Sequence, residues 1–250
     1  MAGRLNGKVA VITGAGRNIG KSAVALFADE GARVGAVDMD GRRGAEVVDA
    51  VNAKHPEGAR LILADVSNEA DVRRMVAEAV AAFGRIDILI NNVAISDNKT
   101  IRDCTLEEFE RTVSVTMTSQ FLTCKWVAEQ MITQGDGGVM INVGSTSGFS
   151  GRNRAIAYTA AKGGVANLMR SIAVQLAPYG IRVNSVVPNK VGSPVGKDEF
   201  DPTRPVGNLV GRAGSPDEVA RTMLFLATED SSFIIGENIF VDGGHTAMTH

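Results

Sequence analysis

Residues 9–20, VAVITGAGRNIG, join a short apolar run to a helical sequence through a turn that is rich in glycine. Glycine lets the backbone approach a phosphate closely, and the first turn of a helix offers free N–H donors and partial positive charge. In this context the turn predicts a dinucleotide site, and a tight connection without a ligand is the alternative. The residues predicted to form the site are Gly14, Arg17, Asn18, Ile19 and Gly20.

Outward from this turn, β-branched runs alternate with helical stretches along the whole chain. Strands are predicted at 9–13, 33–38, 61–64, 86–91, 139–143, 181–187 and 238–241, and helices at 19–30, 41–54, 68–83, 105–133, 155–178 and 216–228. The nearly continuous apolar character of the strands indicates burial on both faces. Right-handed crossovers then predict an α/β fold, a doubly wound parallel sheet of seven strands with helices on both faces (a Rossmann fold), as a single domain over residues 1–250.

Composition narrows the class of partner. The net charge is −2 and the signs are mixed along the chain, which argues against nucleic acid and acidic lipid and favours a small-molecule substrate. The sequence shows neither a secretory leader nor a membrane span, so we expect a cytoplasmic protein. Cys104 and Cys124 lack metal-ligand spacing and are expected to be reduced and buried, and we expect no metal site.

Asp38 ends the second predicted strand, 18 residues after Gly20. A carboxylate at this place accepts hydrogen bonds from both hydroxyls of an adenosine ribose, which favours NAD. A 2′-phosphate would stand about 5 Å away, where the repulsion is roughly 3 kcal/mol at an effective dielectric of about 20. NADP would therefore require Arg17, Arg42 or Arg43 to neutralise that repulsion, and all three are also typical of solvated turns.

Tyr158 and Lys162 stand four residues apart at the start of a predicted helix, so both side chains lie on one face. An ammonium about 4 Å from a phenol stabilises the phenolate, and we expect the pKa of Tyr158 to drop from about 10 to as low as about 7. Ser145, at a predicted strand end, is placed to hydrogen-bond the reacting oxygen. These three side chains predict proton exchange with an alcohol or a carbonyl.

Several motifs together resemble the short-chain dehydrogenase/reductase family over residues 5–246. They are TGAGRNIG at 13–20, Asp65 after the third strand, NNVA at 91–94, Ser145, YTAAK at 158–162 and DGG at 242–244. The resemblance implies an NAD(P)-dependent oxidoreductase that acts on CH–OH groups. In such an enzyme Tyr158 is the general acid/base, Lys162 holds the nicotinamide ribose and lowers the tyrosine pKa, and Ser145 orients the substrate.

The resemblance also implies further contacts and an assembly. Asp65 and Val66 would bracket the adenine, Asn91 would touch a cofactor ribose, and the Val191 backbone would hold the carboxamide. The family further implies a homotetramer whose interfaces use the helices at 105–133 and 155–178.

The chain departs from the family pattern in places. Thr116 stands where the family usually keeps an asparagine that supports a proton relay to the lysine, and the other departures are Asn18, Val93-Ala94 and Asn189. None of them replaces Ser145, Tyr158 or Lys162, so we expect an active enzyme that interconverts a secondary alcohol and a ketone. The alternatives are an NADP-dependent 3-oxoacyl-type ketoreductase and a non-catalytic dinucleotide-binding sensor or scaffold.

Polar residues near the predicted site bear on the substrate. Arg152 and Arg154 lie between Ser145 and Tyr158, while Asn189 and Lys190 follow the sixth strand. If they face the pocket, they predict a small polar or anionic substrate, such as a polyol, sugar, hydroxy acid or cyclic alcohol. If they face solvent or another subunit, they predict nothing about it. Residues 189–214 are predicted to form a substrate loop, of which 194–207 is expected to be mobile without cofactor.

Overall fold

Parallel strands set the architecture of the protein. The computed structural model describes residues 3–192, 195 and 206–248. The strands are β1 (Val9–Thr13), β2 (Arg33–Asp38), β3 (Ala59–Leu63), β4 (Ile88–Asn91), β5 (Gly138–Val143), β6 (Ile181–Pro188) and β7 (Asn238–Val241). They form one parallel sheet in the order β3-β2-β1-β4-β5-β6-β7, which confirms the predicted doubly wound topology. The order reverses between β1 and β4, so a crevice opens there at the carboxyl ends of the strands.

Helices cover both faces of the sheet. They are α1 (Asn18–Asp29), α2 (Gly41–Asn52), α3 (Glu69–Phe83), α4 (Leu106–Val113), α5 (Ser119–Gln134), α6 (Ile156–Leu176) and α7 (Pro216–Ala227). Successive side chains of a strand point to opposite faces, so β1 contributes to two cores. Ile12 packs with Phe27 of α1 on one side, and Val11 packs with Met75 of α3 on the other. The predicted burial of both faces is thus confirmed for β1.

Two strand boundaries differ from the prediction for reasons of hydrogen bonding. The strand expected at 86–91 begins at Ile88, because the backbone N–H and C=O of Ile86 pair with the side-chain amide of Gln134. The strand expected at 61–64 begins at Ala59, whose backbone is held by the side chain of Asn52. Side chains from neighbouring helices decide both boundaries, and local hydrophobicity does not reveal such contacts.

The helix expected at 105–133 is interrupted. A π-helical turn, Ser114–Thr118, separates α4 from α5. A π turn holds an extra residue and leaves backbone carbonyls to be satisfied by other donors. Here Ser119 Oγ donates to the Val115 carbonyl at 2.7 Å, and Gln120 Nε2 donates to the Thr116 carbonyl at 3.2 Å. The interruption separates α5 from α4, which packs against α6.

Three further expectations can be compared with the structure. No helix in the described part of the chain is long and apolar enough to cross a membrane. Both cysteines are free thiols, and Cys124 is buried as expected, whereas Cys104 is only partly buried because it lies in the exposed turn before α4. The predicted mobility of 194–207 falls almost entirely on residues outside the described ranges.

Candidate active site

A cleft of about 720 Å³ opens at the carboxyl ends of the strands. Polar side chains are found at these ends because the strands themselves are buried on both faces. The residues predicted for the site that line this cleft are Gly14, Arg17, Asn18, Ile19, Asp38, Asp65, Val66, Ser145, Arg152, Tyr158, Lys162, Asn189, Lys190 and Val191. Most of the predicted site is thus brought together in one place.

The glycine-rich turn closes against β4. Gly14 has φ +63°, and a methyl group on it would come within 2.9 Å of the Asn92 amide nitrogen. Asn92 Nδ2 in turn donates to the carbonyls of Thr13 and Gly14. Asn18 takes the left-handed conformation at φ +50°, which asparagine tolerates better than most residues. The turn thus keeps the shape that a phosphate-binding loop requires.

Gly20 corrects one expectation. It does not line the cleft in the structure, and a methyl group on it would come within 2.0 Å of the Gly14 carbonyl oxygen. The residue therefore lets α1 pack directly on the turn, and it supports the site from behind.

Asp38 lies at the mouth of the turn. Its Oδ2 accepts from the Gly16 N–H at 2.8 Å, and its Oδ1 accepts from the Asp40 N–H at 2.9 Å. These bonds fix the carboxylate in the cleft. Two of the arginines considered for a 2′-phosphate form ion pairs with carboxylates. Arg43 Nε lies 2.8 Å from Asp40 Oδ2, and Arg42 Nη1 lies 3.2 Å from Glu46 Oε1.

Asp65 and Val66 form the wall beyond β3. The Asp65 Oδ1 accepts from both the backbone N–H and the hydroxyl of Ser67, at 3.0 Å and 2.7 Å. Val66 is buried and still lines the cleft. Val191, which follows β6, also lines the cleft, and it forms an isolated parallel bridge with Gly214.

The side chain of Asn91 lies away from the cleft. Its side chain is buried and donates to Asn142 Oδ1 at 2.9 Å, and it accepts from the Thr123 hydroxyl at 2.7 Å. Side chains alternate along a strand, so only one residue of the Asn91-Asn92 pair faces the cleft. Asn92 is that residue. Strand alternation was the available signal, but the sequence does not say which residue of the pair faces inward.

Ser145, Tyr158 and Lys162 meet at the far end of the cleft. The Ser145 hydroxyl acts on the Tyr158 phenol and lowers its pKa, and Ser145 Oγ accepts from the Ser147 N–H at 3.2 Å. Lys162 Nζ lies 5.8 Å from the centre of the Tyr158 ring and donates to the Val143 carbonyl at 2.5 Å. All three side chains are buried, with Lys162 only 2% exposed.

Burial shifts the pKa of Tyr158 in the direction opposite to the one expected. Desolvation raises the pKa of Tyr158 above its ordinary value, although the Ser145 hydrogen bond and the positive charge of Arg152 oppose this. Desolvation also lowers the pKa of Lys162 to about 7. The predicted drop is therefore wrong for this structure, because the spacing of the two residues contains no information about how deeply both are buried.

Thr116 lies beside the cleft and does not line it. Its Oγ1 donates to the Ile95 carbonyl at 3.1 Å and accepts from the Ile95 N–H at 3.2 Å. The hydroxyl thus fastens the segment that follows β4. Both of its described hydrogen bonds go to the Ile95 backbone, so the geometry gives this side chain a structural contact.

The arginines between Ser145 and Tyr158 have different environments. Arg152 lines the cleft and donates to the Ser147 hydroxyl at 3.2 Å. Arg154 is exposed and does not line the cleft. Ala155, which follows both arginines, takes the left-handed conformation at φ +67° where the chain enters α6.

The sequence did not reveal the cap of α6. Ala155 offers no capping side chain, and the first four N–H groups of the helix region bind the segment after β4 instead. The N–H groups of Ala155 and Ile156 donate to the Lys99 carbonyl, while those of Ala157 and Tyr158 donate to the Asp97 carboxylate. Asp97 thus caps the N-terminus of α6 from a segment that is distant in sequence, and it fixes the backbone of Tyr158.

The chain is similar in sequence and in structure to known oxidoreductases. A family model described as enoyl-(acyl carrier protein) reductase matches residues 14–246. An uncharacterized oxidoreductase of Thermotoga maritima is 37% identical, covering 97% of this chain and 98% of its own. A 3-alpha-(or 20-beta)-hydroxysteroid dehydrogenase of Mycobacterium bovis is 37% identical over 99% of this chain and 92% of its own. The crystal structure of a putative short-chain dehydrogenase/reductase from Burkholderia xenovorans is 35% identical, covers 100% of both chains and superposes with a TM-score of 0.90.

The chain belongs to the short-chain dehydrogenase/reductase family. It is an oxidoreductase, and the enzymes of this family use NAD(P). The residues present fit such a dinucleotide, because the glycine turn, the start of α1 and the Asp38 carboxylate face one cleft. Within the described residues no group of side chains is suited to hold a metal ion.

Removal of the remote cap should loosen α6. Replacing a capping side chain with alanine costs about 1 kcal/mol, so we expect Asp97→Ala to lower Tm by about 2–4 °C. Asp97→Asn keeps an acceptor oxygen and should recover most of the loss. Differential scanning calorimetry measures this, and Asp103→Ala, which alters an exposed carboxylate of the same segment, is the control. Equal Tm values for Asp97→Ala and the parent protein would refute the role of the cap.

Burial of Lys162 should make stability depend on pH. Its folded pKa of about 7 lies below the ordinary value of 10.5, so the unfolded chain binds more protons between these values. The penalty is complete below about pH 7 and disappears as pH rises toward 10.5. We expect Lys162→Met to gain Tm relative to the parent at pH 6, and the gain should shrink steadily up to pH 10. A Tm difference that is constant with pH would show that the lysine is not destabilised by burial.

Proposed function

We propose that the protein is an NAD-dependent oxidoreductase that interconverts a secondary alcohol and a ketone on a small polar substrate, with Tyr158 as general acid/base. The observation that carries this is the meeting of Ser145, Tyr158 and Lys162 in the same cleft as the glycine turn and Asp38. The end of the cleft that holds Ser145, Tyr158 and Lys162 is called the reacting end. The reaction class is inferred from family membership, and the preference for a polar substrate is inferred from the side chains around the reacting end.

Each polar group at the reacting end has a task in this proposal. Since burial raises the pKa of Tyr158, its phenol is protonated at neutral pH and donates its proton to a carbonyl oxygen during reduction. Ser145 hydrogen-bonds that oxygen and stabilises the charge that develops on it. Oxidation requires the phenolate to accept the alcohol proton, so that direction is favoured at alkaline pH. NAD, when bound, supplies or takes up the hydride.

Lys162 lies next to Tyr158 and has a pKa near neutral pH. Its ammonium is anchored on the Val143 carbonyl below the Tyr158 ring, and burial brings its pKa to about 7. A lysine that titrates near neutral pH is suited to bind ribose hydroxyls and to exchange protons with them. Its deep burial costs stability, and a protein that only bound a dinucleotide would gain nothing from that cost. This favours an enzyme over a sensor or scaffold.

The lining of the reacting end supports a polar substrate. The described polar side chains there are Ser96, Asn98, Arg111, Ser114, Ser147, Ser150, Arg152, Asn189 and Lys190. Apolar residues, including Val93, Ile95 and Val115, line the same cleft. One relative is a hydroxysteroid dehydrogenase by name, but a steroid would leave many of these polar groups without partners. A polyol, sugar, hydroxy acid or cyclic alcohol suits them better.

The geometry around Asp38 supports NAD. Its carboxylate is held in the cleft by two backbone N–H groups, so it cannot easily withdraw from a 2′-phosphate. Arg42 and Arg43 already lie against Glu46 and Asp40. An NADP-dependent 3-oxoacyl-type ketoreductase would need these arginines to bind phosphate, and this makes it the weaker proposal.

We also propose a homotetramer in a reducing compartment, the cytoplasm. Large apolar side chains are exposed on α4, α5 and α6, where the family resemblance places interfaces, and also on the segment before β7. They are Leu106, Phe121, Val174 and Phe233. A cytoplasmic location accords with two cysteines that remain free thiols. Sedimentation equilibrium of the full chain measures the assembly.

Removal of the Tyr158 hydroxyl should stop turnover and spare binding. Loss of a general acid/base costs about 10²–10⁴ in rate, so we expect Tyr158→Phe to lower kcat by about a thousandfold while the Kd for NAD changes less than threefold. The assay follows reduced cofactor with polyols, sugars, hydroxy acids and cyclic alcohols at neutral and alkaline pH. Tyr179→Phe alters the other, exposed tyrosine and should behave as the parent. A kcat near the parent value in Tyr158→Phe would sink the mechanism.

The charge of Asp38 should set the cofactor preference. Asp38→Asn keeps an oxygen for the Gly16 N–H and removes the repulsion of roughly 3 kcal/mol, so the ratio of kcat/KM for NADP to that for NAD should rise about 10- to 100-fold. Asp49→Asn, on the exposed face of α2, is the control. An unchanged ratio would mean that Asp38 does not face the ribose.

A further inference from the structure

Charge is distributed unevenly along the cleft. The described carboxylates that line it are Asp38, the last residue of β2, and Asp65, which follows β3, at the end assigned to the adenosine. The reacting end is lined by the guanidinium groups of Arg111, in the last turn of α4, and Arg152, in the segment before α6. Among the described residues, no acidic side chain lines that end.

These two arginines also differ from others in their partners. Arg74, Arg85 and Arg212 each lie against a carboxylate, at 2.6 Å, 2.7 Å and 2.8 Å. The described hydrogen bond of the Arg152 guanidinium goes to a neutral hydroxyl, that of Ser147. The Arg111 guanidinium makes no ion pair or hydrogen bond with any residue in the described ranges. Neither guanidinium group therefore forms an ion pair with a carboxylate of the described residues.

Arg152 is close enough to the reacting phenol to influence it. Its positive charge opposes the effect of burial on the pKa of Tyr158. A group bound by this guanidinium therefore lies near the atoms that exchange the proton. Arginine binds carboxylate and phosphate oxygens through two parallel N–H donors, which fixes orientation as well as position.

We propose that the substrate of this enzyme carries a carboxylate or phosphate group, and that Arg152, with Arg111, binds that group so that the neighbouring carbinol meets Tyr158 and Ser145. The inference rests on the proposed function, because it concerns the same site. It assigns Arg152 as the residue that selects an anionic substrate. The neutral polyols, sugars and cyclic alcohols of the broader proposal are then poor substrates.

Pairs of substrates with and without an anionic group test this selection. The pairs are 3-hydroxybutyrate with 3-hydroxybutyramide, lactate with lactamide, and glycerol 1-phosphate with glycerol, assayed with NAD at alkaline pH. We expect the anion to exceed its neutral partner at least tenfold in kcat/KM. The first two pairs report a carboxylate and the third reports a phosphate, so they distinguish the two sources of the anionic group.

The variants test which residue makes the selection. Both guanidinium groups reach solvent, so their effect is screened, and we expect Arg152→Gln to lower the preference for the anion about 10- to 30-fold. Arg111→Gln should lower it in the same direction. The matched controls are Arg154→Gln and Arg102→Gln, which alter exposed arginines of the same segments that do not line the cleft. These should keep the preference of the parent.

The decisive quantity is the ratio of kcat/KM for the anion to kcat/KM for its neutral partner. Loss of Arg152 also changes the pKa of Tyr158, which slows both members equally and leaves their ratio unchanged. Equal turnover of anion and neutral partner by the parent, or an equal loss of both in Arg152→Gln, would overturn the inference while leaving the proposed function intact.

Absence of any turnover, by contrast, would count against the proposed function itself. The inference is then judged by isothermal titration of the NAD-saturated protein with 3-hydroxybutyrate and with glycerol 1-phosphate. Binding of either anion that weakens at least fivefold in Arg152→Gln and not in Arg154→Gln supports it. Lack of binding of both anions, or equal affinity in the two variants, overturns it.

Discussion

Burial of both faces of a parallel sheet leaves one place for polar chemistry, the edge where the strands end. In this protein β1 is buried along its whole length, and helices pack on either side of it. The cleft forms where the strand order reverses between β1 and β4. The glycine turn, Asp38, Asp65 and Ser145 all lie at the carboxyl ends of strands or within two residues of them, so the sheet itself brings them into one cleft. The remaining features of the site adapt to this constraint.

The segment after β4 connects the sheet to the helix that carries the reactive residues. Thr116 holds the backbone of Ile95 at one end, and Asp97 with Lys99 caps α6 at the other. The position of Tyr158 thus depends on a piece of chain about sixty residues earlier. The threonine that departs from the family pattern accordingly has a definite structural task, since it anchors the segment that ends in this cap.

Desolvation dominates the electrostatics at the reacting end. Tyr158 and Lys162 lie on one helical face, but both are buried and the lysine amine is anchored on the Val143 carbonyl. Burial disfavours the charged form of each, so the pKa of the phenol rises and that of the amine falls. A charge from outside the helix, that of Arg152, is left to moderate the phenol. The reactivity of the pair is therefore a property of its surroundings.

The amino-acid sequence by itself determined the seven parallel strands, the glycine turn, the position of Asp38 and the joint presence of Ser145, Tyr158 and Lys162 in one cleft. These follow from local rules, because strand periodicity, helix spacing and topology place residues that are close in sequence or at strand ends. The tertiary structure alone decided that Asn92 rather than Asn91 faces the cleft, and that Arg152 rather than Arg154 lines it. It also decided the π turn, the Asp97 cap and the raised pKa of Tyr158. Each of these depends on contacts and burial created by residues distant in sequence, and no local pattern encodes them.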